Sequence, residues 1–220
     1  MTILTALAAA LALALGLLVP GAGAQTRLPL TREQALTQMK SEDVELRRQG
    51  TAWLGELGLP GDAPPLIAAL TDPDEVVRVL AENSVWQVWT RSGDTEIDGL
   101  MLTGMEQMNR GDGPGAVETF TKIIERRPDF AEGWNKRATV YFLMGENEKS
   151  LHDCDEVMKR NPAHFGALAG YGQIYLRMDQ PERALTYFRR ALRINPNMRG
   201  VQQVIPEIEQ LLTERRKGTI

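Results

Sequence analysis

Groups that commonly carry chemistry are scarce in this chain. Its 220 residues include one cysteine and two histidines, so an intrachain disulfide is impossible and paired metal-binding cysteines are absent. The sequence also has no HExxH segment, no glycine-rich phosphate loop and no nucleophile elbow. We therefore predict no metal site, no cofactor and no catalytic residue, and expect that the protein is not an enzyme.

A strong charge imbalance is also missing. The chain has 25 basic and 29 acidic side chains, which gives a formal net charge of −4. Nucleic-acid binding depends on basic residues that displace counterions from phosphates. The balance of charges here predicts no nucleic-acid partner, and mild acidity mainly keeps the protein soluble.

Charged side chains are absent from the first 26 residues, where an apolar run rich in Ala and Leu is followed by Pro20 and Gly21. The small residues Ala22 and Ala24 then form the pattern of a signal-peptidase site. We predict a signal peptide over residues 1–24, cleaved after Ala24, and a periplasmic or secreted mature protein without a membrane span. The alternative is an uncleaved anchor, because the run approaches the length of a bilayer span and no Lys or Arg precedes it.

A repeat dominates the rest of the sequence. Pro128, Pro162 and Pro196 lie 34 residues apart, and each follows a segment that ends like a basic amphipathic helix. Turn-forming residues around positions 111, 145 and 179 divide each unit into two helices. A period of this length is diagnostic of stacked helical hairpins, and it predicts three units at residues 97–130, 131–164 and 165–198.

Other positions recur at the same interval. Small residues occupy one of them, and a second holds a mostly large apolar residue; these are Gly104, Ala138 and Gly172, followed by Phe120, Cys154 and Phe188. Over residues 97–196 the sequence resembles the tetratricopeptide repeat (TPR) family. The resemblance implies an all-α, right-handed α-solenoid whose stacked hairpins present a concave wall.

A weaker repeat precedes these units. A shift of 31 residues aligns Asp43 with Asp74 and Arg47 with Arg78, and residues 25–92 resemble two HEAT-type helical repeats. Asp74 is expected to cap a helix, and the two arginines to bind such carboxylates. We expect the tryptophans of this segment to pack in the core, and the two arrays to stack as one continuous coil across the short boundary at residues 91–95.

The TPR resemblance implies a binding groove along the first helix of each unit. The positions that it assigns to a partner are Met101, Met105, Met108, Asn109, Asn135, Thr139, Phe142, Gln173, Leu176 and Arg177. The family's carboxylate clamp uses lysines and asparagines, but Met101 and Met105 stand at the first-unit positions. Binding of a chaperone C-terminal carboxylate is therefore not inherited.

Met101, Met105 and Met108 form a stripe at spacing i, i+4, i+7. Flexible thioethers suit a surface that accepts varied apolar side chains. The stripe would equally serve to bury the seam between the two arrays, near Trp86 and Trp89. The need to cover that seam favours the second interpretation.

Three further features have structural interpretations. Cys154 stands at a core position, so we expect a buried, inert thiol. Arg137 and Asp153 are expected to pair between two helices. An apolar stripe over residues 199–216 predicts a helix that caps the solenoid, with docking on a second copy as the alternative.

The function predicted from the sequence is non-catalytic. An exported TPR protein would hold a peptide or protein partner in its concave groove as an adaptor or scaffold, and resemblance to exported TPR proteins implies a role in cell-envelope assembly. The alternative is a self-assembling structural protein that uses the methionine stripe or the C-terminal helix as its contact. The sequence identifies neither the partner nor the oligomeric state.

Overall fold

The computed structural model describes residues 30–218. Within this range the chain forms α-helices and two short 3-10 turns, Pro60–Asp62 and Ala69–Thr71, but no strand. The helices are α1 (Arg32–Gln38), α2 (Val44–Leu57), α3 (Ala63–Ala68), α4 (Glu75–Thr90), α5 (Thr95–Asn109), α6 (Gly113–Arg126), α7 (Ala131–Leu143), α8 (Asn147–Arg160), α9 (Phe165–Arg177), α10 (Pro181–Ile194) and α11 (Arg199–Gly218). The predicted all-α solenoid is confirmed for these residues. The predicted signal segment, residues 1–24, lies outside them.

Side-chain caps explain where several helices begin. Asp74 Oδ1 accepts a hydrogen bond from the Val77 amide at 2.9 Å, which confirms the predicted cap of α4. Asp43 and Asp94 accept equivalent bonds at the starts of α2 and α5. The first amides of a helix have no partner within the helix, so these carboxylates satisfy groups that would otherwise lack one.

The turn inside each TPR-like unit uses a left-handed residue at the same repeat position. Gly111, Gly145 and Asp179 are spaced 34 residues apart and have φ of 77°, 80° and 56°. Glycine reaches this conformation without steric strain, and aspartate tolerates it better than most residues. The predicted breaks between the paired helices α5/α6, α7/α8 and α9/α10 are confirmed.

The two helices of a unit approach closely where the repeat has its small residue. A Cβ added to Gly172 on α9 would lie 2.5 Å from the ring of Phe188 on α10, so only glycine fits beneath that ring. The second unit has Ala138 and Cys154 at the equivalent positions. Ala138 is larger than Gly172, and Cys154 is smaller than Phe188, so an increase in volume on one helix is offset by a decrease on the other.

Both structural predictions for the second unit are confirmed. Arg137 binds Asp153 through two hydrogen bonds, Nε to Oδ2 at 2.7 Å and Nη2 to Oδ1 at 2.9 Å. The Asp153 side chain is 1% exposed, so this bidentate pair is shielded from water. Cys154 is buried, and burial raises the pKa of its thiol to about 12.

The C-terminal helix α11 follows the third unit and packs against α10. Val201, Ile208 and Leu212 are buried in the same apolar cluster as the core residues of α9 and α10, as expected of a terminal cap. Pro206 lies inside α11 and does not restart it.

The helices of the first array are tied together by arginines. Arg47 Nε donates to Asp72 Oδ2 at 2.9 Å, and Arg48 Nη2 donates to Asp74 Oδ2 at 2.6 Å. The expectation for Arg47 is therefore confirmed, whereas that for Arg78 is wrong, because its Nη1 donates to the main-chain carbonyl of Asp72 instead. The HEAT-like assignment of this segment remains a prediction.

The first array does not continue the solenoid as a stacked coil. Trp86 and Trp89 on α4 contact Phe165, the first residue of α9, with ring centroids 5.2 Å and 5.0 Å apart. Asn197, beyond the third unit, donates to the Leu70 carbonyl at 2.8 Å. Stacking in line would place this array against the first unit alone. The expected continuous coil is therefore wrong: α4 crosses from the first unit to the last.

Candidate partner-binding groove

The candidate groove runs along α5, α7 and α9, the first helices of the three units. On α5 the structure corrects the prediction for Met101, which is 1% exposed and belongs to the core around Ile97 and Phe120. Met105 and Met108 are half-buried against the same core. The stripe therefore packs against α6 within its own unit. Met101 and Met105 also line a small cleft with residues at the end of α4, which favours the seam interpretation over a partner surface.

On α7 the predicted position Asn135 belongs to a buried polar cluster. Its Nδ2 donates to Glu132 Oε1 at 3.0 Å, and His164 Nε2 lies 3.0 Å from Glu132 Oε2. His164 Nδ1 accepts a hydrogen bond from the Ala167 amide, so Nε2 carries the proton and donates it to Glu132. Asn135 is 8% exposed and holds Glu132 in place. It also lines a small cleft between α7 and α9, and its role as a partner contact stays a prediction.

The charge of Glu132 is stabilised in spite of its burial. Its side chain is 1% exposed, and Lys136 Nζ lies 3.1 Å from Oε1. Burial by itself would raise the pKa of Glu132, but the Lys136 charge and the His164 hydrogen bond outweigh that effect and hold the pKa at about 2. The cluster is ionised and satisfied at neutral pH, and it fixes the start of α9 to α7.

Aromatic side chains of α4 rest on the start of α9. The ring of Trp89 stacks on His164 with centroids 4.3 Å apart and planes 16° apart, while Trp86 meets Phe165 edge to face at 82°. A Cβ at Gly166 would come closer than 3.0 Å to the Trp86 ring. His164, Phe165 and Gly166 therefore form an aromatic seat for α4, and the absence of a side chain at Gly166 makes room for it.

The groove stays open beyond the aromatic seat. A cleft of about 870 Å³ lies between α4, α9 and the segment that leads into α11. Two predicted residues, Gln173 and Leu176, line it together with Val79 of α4. Val79 is 54% exposed and Leu176 is half-buried. The open cleft offers apolar side chains and a primary amide, a combination that suits a peptide segment.

The remaining predicted residues lie around this cleft or away from it. The guanidinium of Arg177 covers the ring of Phe142 at 3.6 Å and donates to the Phe142 carbonyl. Thr139 is exposed and donates to the Asn135 carbonyl at 3.0 Å. Asn109 is exposed at the end of α5 and does not line the open cleft. The structure thus brings Gln173 and Leu176 together in the open cleft. It groups Asn135, Thr139 and Phe142 beside Gln173 in a small cleft between α7 and α9, apart from the first-unit residues.

Neither a metal-binding group nor a membrane-spanning helix occurs in residues 30–218. No group of three or more His, Cys, Asp or Glu side chains in that range is arranged to hold a metal ion. Over the same range, none of the helices combines the length and the apolar character that crossing a membrane requires.

Comparison with known proteins matches this geometry to a repeat family. The sequence profile described as "Tetratricopeptide repeat" matches residues 165–198, which make up the predicted third unit. A TPR repeat-containing protein of Rhizobium etli is 32% identical over 145 residues, covering 66% of this chain and 70% of that protein. The chain belongs to the tetratricopeptide repeat family.

Solved structures of TPR domains share the fold. The Sgt2 TPR domain from Aspergillus fumigatus matches with a TM-score of 0.54 and 19% identity, over 58% of this chain and 85% of that one. The first TPR of Spaghetti (RPAP3), bound to the HSP90 peptide SRMEEVD, matches with a TM-score of 0.52 and 21% identity, over 55% and 96%. TPR domains in general are non-catalytic scaffolds for protein interactions.

Reasoning from the TPR pattern missed the aromatic seat. The pattern predicts no role for His164 or Phe165, although both are fully buried. The available signal was Gly166, which stands where the first two TPR units have Asp98 and Glu132. A glycine at a groove position indicates that something large approaches the backbone there.

Proposed function

We propose that this protein is a non-catalytic adaptor that holds a peptide segment of a partner in the cleft between α4, α9 and α11. The observation that carries the proposal is an open cleft of about 870 Å³ on the inner side of a TPR solenoid. Val79, Leu176 and Val204 supply apolar contacts, and Gln173 supplies donors and an acceptor for a peptide main chain.

The peptide class follows from the charges at the cleft. Its lining holds Glu75, Glu82, Arg78 and Arg199, so acidic and basic groups balance. Arg78 is already engaged by main-chain carbonyls. A lining of this kind favours a segment with apolar anchors over one that depends on a terminal carboxylate. The HSP90 peptide bound by the Spaghetti domain supports a peptide ligand as a class, and this chain lacks the clamp residues at its first unit.

Export completes the proposal. The uncharged, apolar first 26 residues and the small residues before Gln25 support a cleaved signal and a periplasmic or secreted site of action. There the adaptor would serve assembly of the cell envelope. Expression in a bacterium and N-terminal sequencing of the exported protein test this part: the mature chain is expected to begin at Gln25, and a full-length chain retained in the membrane would contradict it.

A peptide library displayed on phage and selected on the mature protein tests the cleft. Selected peptides are then measured by fluorescence anisotropy against wild type, Val79→Glu and Gln173→Glu. Both side chains are exposed, so the variants keep the fold, and a buried carboxylate opposing an apolar anchor weakens binding. We expect at least about a tenfold loss of affinity, a difference that one misplaced polar group accounts for.

Thr186→Glu on α10 provides the control. Thr186 is exposed, does not line the cleft, and receives the same added charge. It is expected to bind like wild type. Equal binding of the selected peptides to all four proteins would exclude the cleft as the site. Light scattering of the unliganded protein distinguishes the adaptor from the self-assembling alternative. The adaptor predicts a monomer, and the alternative predicts an oligomer.

A further inference from the structure

We infer that α4 is an internal occupant of the inner wall, and that a partner helix presenting two aromatic side chains three residues apart takes its place on the aromatic seat. The inference rests on the proposed function, because displacement of α4 matters only if the protein binds a partner. It adds a second binding surface, formed by His164, Phe165 and Gly166, and it names the kind of segment that fits there.

The first argument is the position of the aromatic seat. Gly166 and Ala169 on α9 stand at groove positions of the third unit, as Glu132 and Asn135 do on α7. Glu132 and Asn135 are each less than 9% exposed, whereas Ala169 and Gln173, further along α9, line the open cleft. The half of the wall near the helix starts is therefore covered, and the other half is open.

The second argument is the chemistry of the contact. Trp86 and Trp89 lie three residues apart and so project from one side of α4. One indole stacks on an imidazole and the other meets a phenyl edge to face, which are the favoured geometries of aromatic pairs. An aromatic pair at this spacing on any amphipathic helix would find the same partners, and helix-in-groove recognition reads anchors of this kind.

The third argument is that few polar bonds join α4 to the last unit, where the contact consists mainly of the two tryptophans, Ile194 and Met198 packed around Phe165. A cleft of about 400 Å³, lined by Leu59, Pro64 and Arg127 among others, separates the first array from the loops of the TPR units on one side. The cleft of about 870 Å³ lies on the other side of α4. Between them, the polar ties from α4 and its preceding turn are the Asn197 bond and an exposed Glu75–Arg199 pair at 3.9 Å. Exposed pairs at this distance contribute little.

The connection to α5 allows movement without unfolding either array. Arg91 Nη1 donates to the Gly55 and Gly58 carbonyls of the first array, while Ser92 donates to Asp98 of α5. Gly93, with φ of 78°, lies inside the loop that the Ser92–Asp98 bonds close. The change from first-array bonds to α5 bonds falls between the adjacent residues Arg91 and Ser92, so rotation of the backbone at these two loop residues would change the angle between the arrays.

A distance measurement on the full mature chain tests, without any peptide, whether α4 can leave the aromatic seat. In a Cys154→Ala background, nitroxide labels on Val79→Cys and Gln173→Cys report the separation of α4 and α9 across the open cleft. Gly166→Ala places a Cβ where the Trp86 ring now lies. We expect wild type to show one short distance, and Gly166→Ala to enlarge a longer-distance population at least tenfold, with an unchanged helical circular dichroism spectrum.

Gly170→Ala is the matched control on the same helix. Its Cβ would meet only the Cys154 sulfur, at 3.8 Å, so the distance distribution is expected to stay that of wild type. A Gly166→Ala chain that keeps the short distance, or that loses α4 only when the entire protein melts, would show α4 to be a fixed part of the core and overturn the inference.

A second measurement identifies the occupant. A fluorescent peptide of residues 72–91 and its version with both tryptophans replaced by alanine are titrated into wild type and into full-length Trp86→Ala. Unseating the chain's own α4 raises the fraction of binding-competent protein, so the tryptophan peptide is expected to bind Trp86→Ala at least about tenfold more tightly than wild type. Equal affinity for both proteins, or equal binding of the alanine peptide, would contradict the aromatic requirement.

The outcomes separate the two proposals. If α4 leaves the aromatic seat in Gly166→Ala but no library peptide binds, the inference about α4 stands and the adaptor proposal is wrong. If library peptides bind at Val79 and Gln173 but α4 never leaves the aromatic seat, the adaptor proposal stands and the inference about α4 is wrong. A wild-type dimer by light scattering, with the short distance formed between copies, would assign the seat to a second copy and overturn exchange with a different protein.

Discussion

Replacement of Gly172 by alanine tests how the two helices of a TPR unit fit together. An alanine Cβ would lie 2.5 Å from the Phe188 ring, whereas ordinary contacts of this kind begin at 3.4 Å. The ring must therefore move by about 0.9 Å (3.4 − 2.5). Phe188 is 2% exposed, and the close packing of such an interior leaves it no free direction.

The expected magnitude combines two opposing effects. Overpacking a core by one methyl group destabilises by about 1–3 kcal/mol, and the lack of space around Phe188 favours the upper end of that range. Alanine in place of glycine stabilises a helix by about 1 kcal/mol. The free energy of unfolding should therefore fall by about 2 kcal/mol, which lowers the Tm of a protein of this size by about 4–8 °C.

Urea and thermal unfolding followed by circular dichroism measure this effect, with Gly170→Ala as the reference. An added Cβ at Gly170 meets only an ordinary contact at 3.8 Å, so this variant keeps the gain in helix propensity and should be up to about 1 kcal/mol more stable than wild type. If Gly172→Ala proves as stable as Gly170→Ala, the close approach of α9 and α10 is not what requires glycine.

The second unit suggests the compensating change. It combines Ala138 with Cys154 where the third unit has Gly172 and Phe188. Phe188→Cys alone opens a cavity and should be strongly destabilising, but added to Gly172→Ala it recreates the second unit's pair. A double-mutant cycle should give a favourable coupling of about 1–3 kcal/mol. Strictly additive effects would contradict the volume argument.

Three other predictions concern the second unit and its buried groups. Arg137→Ala leaves the carboxylate of Asp153 buried without its main partner, so urea unfolding should show a loss of about 3 kcal/mol, and adding Asp153→Asn should restore part of it; an unchanged midpoint would contradict a shielded pair. Glu132 has a folded-state pKa of about 2, below its ordinary 4.5, so the stability it contributes is complete above about pH 4.5 and is lost as the pH falls towards 2. Glu132→Gln should flatten the acid dependence of the urea midpoint in that window, and a parallel acid dependence would refute the assignment. The Cys154 thiol, buried and with a pKa of about 12, should react with Ellman's reagent at pH 8 only in urea, and rapid reaction of the native protein would contradict its burial.

Features with short sequence separation were predictable. The 34-residue period fixes the paired helices of each TPR unit because identical turn positions recur at Gly111, Gly145 and Asp179. The cap at Asp74 and the Arg137–Asp153 pair follow from helix geometry within one hairpin. In each case the physical cause lies within a few turns of the residues concerned.

The arrangement of the two arrays was not predictable in this way. Whether α4 continues the solenoid or crosses its inner side depends on contacts between Trp86 or Trp89 and residues about 80 positions later. Periodicity shows that a tryptophan has a buried face, but it does not identify the surface that covers it. The family pattern places Met101 in the groove because it specifies helix positions only, whereas the burial that the seam interpretation expected depends on packing against α6 and near the end of α4.

The connection between α4 and α5 is only four residues long, 91–94. A tether this short keeps the two tryptophans beside His164 at an effective concentration on the order of millimolar. A partner helix present in trace amounts would therefore not displace α4. A partner helix supplied at high local density, as a repeated or membrane-crowded segment, would displace it. The length of this linker sets a threshold of abundance below which the protein does not respond.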